Sequence, residues 1–276
     1  MTEAALSLLK PGETGRMPAE QQIPEAGCTA CPHRKSLLAE GRCKPGDTCV
    51  MARSGGQIER FFRSNPALAE DYAGDAFWER RAIAARYLSQ KMLLSLLDDP
   101  DEVVRRVLAY RLPVDALAPL IADPDREVRI TVADRLPSEQ LEQLAGDPDY
   151  MVRQYVVKRM PVGRLFRMIR DPERLVRCSV ADRLPVESLG LLRDDPEPDV
   201  RLRVAGRIAS EEALAMLNDR DWRVRLRLAE RLPLAMIEPL AQDEDADVRD
   251  VAERRLTGRS PDTPDLGSQR DKPKPR

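Results

Sequence analysis

The chain has 276 residues, 42% of them hydrophobic, enough to fill a core, so global disorder is excluded. Only 4% of residues are aromatic while 33% are charged, a mixture that favours helices over sheets. With 45 Lys and Arg against 47 Asp and Glu, the net charge of -2 excludes a general attraction of the whole chain to phosphates.

The first residues, "MTEAALSLLKPG", hold an acid at Glu3 and an apolar run too short for a secretory leader, and no later segment approaches a membrane span. A cytoplasmic, membrane-free protein is expected. Residues 1–27 are rich in proline and charge and are expected to be disordered.

The next stretch, "CTACPHRKSLLAEGRCKPGDTC", carries four of the five cysteines, spaced Cys28-x2-Cys31-x11-Cys43-x5-Cys49. In a reducing compartment such a cluster binds metal more readily than it forms disulfides. Four thiolates can close a tetrahedral zinc site or hold a cubane iron–sulfur cluster. A zinc ribbon repeats the C-x2-C knuckle, and the five-residue gap between Cys43 and Cys49 weakens zinc; the residues alone leave both readings open. Between this segment and residue 75, a glycine break precedes helices expected near Gln57 and Asn65-Pro66. Phe61, Phe62, Tyr72, Phe77 and Trp78 concentrate here, as a packing junction that covers the open end of the repetitive region beginning at Asp75.

From Asp75 to about Leu256 the sequence repeats every 24 residues without insertion: "DPDEVVRRVLAYRLP" at 99–113 returns as "DPDREVRITVADRLP" at 123–137 and so on, with frayed units at both ends. Asp99 is read as the N-cap of a helix, Pro100 as its first residue and Asp101 as a first-turn acid. Val104, Leu108, Ala109 and Leu112 form its apolar face, and Pro113 stops it. The return piece "PVDALAPLIAD" carries Leu117 and Leu120, three apart, the spacing of a 3₁₀ turn. It is too short for the second helix of a HEAT unit and lacks the L-x-L strand of a standard leucine-rich repeat.

One arginine column runs through all eight units: Arg81, Arg105, Arg129, Arg153, Arg177, Arg201, Arg225 and Arg249. It points along the apolar stripe and so needs a partner. An acid stands four residues earlier (Asp101, Asp125, Asp149, Glu173, Glu197, Asp221, Asp245), and the expectation is an ion-pair and hydrogen-bond ladder that stitches units together through arginine, these first-turn acids and the aspartates read as N-caps, rather than a phosphate-tracking stripe. A second column, Arg111, Arg135, Arg159, Arg183, Arg207, Arg231 and Arg255, lies near each helix end and is expected to meet terminal carbonyls. No catalytic constellation is found: His33 is the lone histidine, no glycine-rich phosphate loop occurs, and the acids recur with the repeat. Cys178 sits at a variable helical position and is not counted as a ligand. The tail 257–276, with five bases and three acids, is expected to be disordered and too weakly charged for nucleic acid.

The repeated D-P-x-x-x-V-R-x-x-V-A-x-R-L-P-x-x-x-L-x-x-L unit resembles the leucine-rich repeat variant family over roughly residues 75–256. The resemblance implies an all-α, right-handed solenoid of alternating α and 3₁₀ helices. Members can carry an N-terminal module with a 4Fe-4S cluster, which "GCTACPHRK...GRCKPGDTC" is similar to. It implies Cys28, Cys31, Cys43 and Cys49 as the four ligands; His33 departs from that all-cysteine pattern as a residue that could replace one of them. Thr29, Ala30 and the amides around Gly46 are candidate donors to cluster sulfur. The expected organisation is a disordered segment at 1–27, a cluster module with junction helices at 28–74, about eight repeats at 75–256 and a disordered tail at 257–276. The expected function is that of a non-catalytic, redox- or iron-responsive scaffold whose solenoid surface meets an unknown protein partner. The family resemblance adds a setting near nitrogen fixation. The alternatives are an electron carrier and a zinc-stabilised nucleic-acid-binding solenoid.

Overall fold

The computed structural model describes residues 28–258, so the expected disorder at 1–27 and beyond Gly258 lies outside the described residues. The described residues form two compact units, divided between Tyr155 and Val156. Both are helical; among the described residues the only extended pairing is an isolated antiparallel bridge, Lys44 with Thr48.

Long helices begin at Trp78, Glu102, Arg126, Tyr150, Arg174, Pro198, Trp222 and Ala246, each start 24 residues after the last. Their true N-caps stand two residues later than the sequence reading placed them. Asp101 is extended and its Oδ1 accepts the Val103 amide at 3.0 Å, so the helix is Glu102–Arg111. Asp125, Glu173, Asp221 and Asp245 cap in the same way. The first aspartate of each D-P pair therefore sits outside the helix, as in Asp99, whose Oδ1 accepts the Asp101 amide at 2.9 Å. The error arose because either aspartate of D-P-D satisfies the local preference for a cap. Helix ends match expectation: Leu112 is extended at ψ 147° ahead of Pro113.

The predicted apolar face is the core. Val104, Leu108, Ala109, Leu112 and Leu117 are fully buried, as are their counterparts Val128, Val132, Ala133 and Leu141 one repeat on. The return pieces are 3₁₀ at Val114–Ala116, Ala118–Leu120, Ser138–Leu144, Val162–Met168 and Val186–Leu192. Three others start with a short α segment, Gln90–Leu94, Ser210–Ala213 and Leu234–Ile237. These arms are made of strong helix formers such as "SEEALAM", and there a full i→i+4 bond closes, as from the Ala213 amide to Ala209 O at 2.9 Å. The last long helix, Ala246–Thr257, ends on Gly258 in the left-handed region at φ 68°, one residue into the expected tail.

The arginine ladder exists and joins repeats as expected, through the D-P aspartates and not through the first-turn acids. Arg105 does not pair with Asp101. Its Nε and Nη2 reach both oxygens of Asp123 at 2.8 and 3.0 Å, while Nη1 donates to Asp99 O at 2.7 Å. In the same way Arg81 holds Asp99 and Arg129 holds Asp147 in the first unit. Arg177 holds Asp195, Arg201 holds Asp219 and Arg225 holds Asp243 in the second. Each guanidinium thus joins the D-P turn of its own repeat to that of the next, bidentate and buried. The hydrogen bond to the carboxylate, ahead of opposing burial, raises the pKa of Arg105 and its equivalents. The acid four residues earlier is occupied with capping, which is why the helix-local expectation failed.

The second column does meet carbonyls, and those carbonyls belong to the preceding repeat. Arg111 donates to Ala85 O at 2.8 Å and Leu88 O at 3.1 Å. Arg135 reaches Ala109 O and Leu112 O, Arg207 reaches Ala181 O and Leu184 O, and Arg255 reaches Ala229 O and Leu232 O. These are the C-terminal carbonyls that an α-helix leaves unpaired. Arg231 departs from the pattern: its Nε and Nη2 are buried without a partner, where the preceding helix Pro198–Ala205 is two residues shorter than its neighbours.

Candidate metal centre

Both cysteine spacings acquire a local reason. Cys28–Ala30 is a 3₁₀ turn, closed by the Cys31 amide on Cys28 O at 3.4 Å, so residues 28 and 31 lie on one side of it. The five residues between Cys43 and Cys49 form a closed loop. Lys44 N donates to Thr48 O at 2.7 Å, Thr48 N donates to Lys44 O at 2.9 Å, and Gly46 turns the chain at φ 78°. Residues directly flanking such a bridge face one another, so Cys43 and Cys49 are neighbours across it. The gap that counted against a zinc knuckle is the length of this turn.

The two pairs converge. Cys28, Cys31, Cys43 and Cys49 line one small, open-mouthed cavity together with Arg34, Leu38, Pro45, Val50 and Phe61. All four cysteines are half-buried. No carboxylate or imidazole is among the lining residues, so the donor set is thiol only, which fits soft iron or zinc rather than magnesium or calcium. As the side chains stand, no three His, Cys, Asp or Glu among the described residues are gathered into a ready-made site for a single ion. Burial, with the neighbouring cysteines adding to it, pushes the Cys43 thiol above its ordinary pKa, and burial does the same to Cys49. Opposing this at Cys49, the nearby backbone amides of Met51 and Ala52 favour the thiolate. Four thiolates packed together repel, and an iron-bearing or zinc cation is what would let them coexist.

His33 lies elsewhere. Its Nε2 pairs with the Tyr72 hydroxyl at 2.8 Å, its ring stands 5.5 Å from Phe61, and it does not line the cavity. Of the candidate sulfur donors, Ala30 is exposed and the Thr29 side chain lies outside the described residues. Gly46 is engaged through its carbonyl, which accepts from Gln57 Nε2 at 2.8 Å. Cys178 is buried in the helix Arg174–Arg183 of the second unit. The sequence reading missed Arg34 and the apolar wall, the Met51 and Ala52 amides, and the supporting helix Gly55–Ser64. "KPGD" between two cysteines was a usable signal, since Pro-Gly at the centre of a short gap reads as a turn.

The expected junction is present. Phe61 and Phe62 are buried and meet edge to face at 5.4 Å, and Tyr72 packs on both. Arg80 lies over Phe77, with its charge met by Asp75 at 2.7 Å. No helix among the described residues is long and apolar enough to cross a membrane.

Comparison with known proteins agrees with this arrangement. Residues 23–71 match the family described as "LRV protein FeS4 cluster", and residues 126–149 match "Leucine rich repeat variant". A curated protein of Rhodobacter capsulatus, "Uncharacterized 27.7 kDa protein in nifB 3'region", is 42% identical over 86 residues. That alignment covers 31% of this chain and 35% of the relative, about a third of its length. A solved structure titled "A leucine-rich repeat variant with a novel repetitive protein structural motif" is 56% identical. It covers 83% of this chain and 98% of that one, with a TM-score of 0.79. A matched cysteine module, a matched repeat and a relative aligned over nearly its whole length together place this chain in the leucine-rich repeat variant family.

Proposed function

We propose that the chain is a non-catalytic iron–sulfur protein: Cys28, Cys31, Cys43 and Cys49 hold one 4Fe-4S cluster, and the repeats present their surface to a protein partner in a manner that depends on the cluster's redox or iron state. The observation that carries the reading is the convergence of four thiols, and no other donor, on a single cavity within the segment similar to an FeS4 module. When bound, such a cluster supplies one-electron exchange and leaves no iron open to substrate once four thiolates are in place. The partner surface follows from the way helical repeats generally act, through extended faces built of many units. A relative in the nifB 3' region supports a setting near nitrogen fixation.

Anaerobic purification with iron, sulfide and zinc analysis and a visible spectrum tests the cluster. About four irons and four acid-labile sulfides per chain are expected for a cubane. Colourless protein with one zinc and no sulfide would sink the assignment and restore the zinc alternative.

One observation favours the electron-carrier reading as a second. The cysteines are half-buried rather than sealed behind Phe61 and Phe62, exposed Arg34 lines the cavity, and exposed Lys35 and Lys44 adjoin Arg34 and Cys43 in the chain. Rapid, reversible reduction by an acidic one-electron donor, weakened by salt, would support it. Against the nucleic-acid reading, Arg81, Arg105, Arg129, Arg177, Arg201 and Arg225 of the arginine column are bound bidentately to aspartates.

A further inference from the structure

We infer that Gln57, Arg60 and Asn65 are positioning residues for the Cys43–Cys49 loop, and that the helix carrying them transmits the occupancy of the cysteine site to the first repeat. The inference rests on the cluster reading above and adds its route of regulation.

The helix Gly55–Ser64 holds the loop by its backbone at four places. Asn65, its C-cap, donates from Nδ2 to Arg42 O at 3.0 Å, next to Cys43. Gln57 donates to Gly46 O at 2.8 Å and accepts the Cys49 amide on its own carbonyl at 3.2 Å. Arg60 grips Asp47 O with Nε and Nη2 at 3.2 and 3.0 Å, and pairs with the Asp47 carboxylate at 2.9 Å. Positions 57, 60 and 61 share one helix face, and Phe61 from that face lines the cavity. Both loop cysteines are therefore bracketed by anchors from one element. Asn65 is the most telling: it is 0% exposed, its Nδ2 is shared between Arg42 O and Phe61 O, and its Oδ1 has no partner. Burying an amide with an oxygen unpaired is unfavourable, a cost set against the two hydrogen bonds by which Nδ2 ties the loop to the helix end.

The opposite side of the same helix is tied to the first repeat. Glu59 accepts from Arg86 Nη1 at 2.8 Å and from the Tyr87 hydroxyl at 2.6 Å. The Glu79 carboxylate, from the repeat helix Trp78–Ala84, lies against the Gly55 backbone, where a larger side chain at 55 would have to push it aside. Phe62 packs against Tyr87 at 6.1 Å. A rigid helix of 10 residues thus has one face on the cysteine loop and the other on the first repeat. With nothing drawing the four sulfurs together, the loop loses its single geometry, and the anchors carry that change to residues 78–88.

The test uses the full-length protein, iron-loaded and after anaerobic chelator treatment. Gln57→Ala, Asn65→Ala and Arg60→Ala should assemble the cluster but release iron to a chelator about 10-fold faster than wild type, with Arg60→Lys restoring the slow release. Hydrogen exchange by mass spectrometry should show residues 78–88 exchanging several-fold faster once the site is emptied, while residues 126–136 stay unchanged. Glu59→Ala, which leaves the loop anchors intact, should shrink that loaded-minus-emptied difference. Wild-type protein without iron overturns the cluster reading and this inference with it. Iron-loaded wild type whose release rate is untouched by all three anchor substitutions, or whose exchange at 78–88 is the same loaded and emptied, overturns this inference alone.

Discussion

The cysteine segment and the repeats solve the same problem, holding a short chain segment in one shape, by opposite means. In the repeats every unit is stabilised by its neighbours. Arg105 joins two D-P turns, Arg111 satisfies the carbonyls of the helix before it, and Leu117 fills the space between long and short arms. Residues 28–49 hold one 3₁₀ turn, one bridged loop and, among the described side chains, a single buried one, Leu37. So small a piece cannot bury enough apolar surface to hold itself together, and a cofactor with an adjoining helix supplies what a core would. The lesson is that periodicity makes stability local and shared, whereas a cofactor site concentrates it at a few side chains.

The largest expected effect separates the two regions. Cys43→Ala should abolish cluster binding, seen as complete loss of visible absorbance, while far-UV circular dichroism keeps most of its helical signal. Collapse of the whole helical spectrum would show that the module and the repeats are one cooperative structure.

Within the repeats, Arg129→Ala strips the buried Asp147 of its bidentate partner, and breaking such a pair costs about 3–5 kcal/mol. Urea denaturation should show a lowered midpoint. Replacing both members with apolar residues should recover much of the loss, because the uncompensated carboxylate, more than the pair itself, carries the penalty.

A step down, Arg135→Ala leaves the carbonyls of Ala109 and Leu112 without their donor, worth about 1.5–3 kcal/mol by the same measurement. Asp125→Ala removes the cap on the Glu127 and Val128 amides, with a loss of about 1 kcal/mol. That cap test also arbitrates between the two aspartates of D-P-D. Asp123→Ala should be worse, since it orphans Arg105 as well as the Asp125 amide. Equal effects would contradict the division of labour between them.

The smallest effect is the control. Arg126 pairs with Glu127 and Asp149 at the surface, where its side chain is 51% exposed, and Arg126→Ala should change stability by less than about 0.5 kcal/mol. If Arg129→Ala were no more damaging than this, the ladder would be an ornament of the fold rather than its fastening.

By itself the sequence determined the architecture: a 24-residue period, helices ending at Leu-Pro, an apolar face through Val104, Leu108 and Leu112, and a short arm set by the leucines three apart. It also determined which four residues could form a thiol site. These are properties of one repeat or one short segment, and local backbone preference and periodicity express them directly. Tertiary structure alone decided who pairs with whom. The partner of Arg105 lies 18 residues ahead and the partners of Arg111 lie 26 and 23 residues behind, distances that become contacts only when repeats stack. Helix-local reasoning sees neighbours three or four residues away, so it assigned Arg105 to Asp101, which was already engaged as a cap. The same holds for the cysteines. That Cys28 and Cys31 face Cys43 and Cys49 across one cavity, with Gln57, Arg60 and Asn65 holding the loop from a separate helix, depends on packing between segments that no spacing encodes.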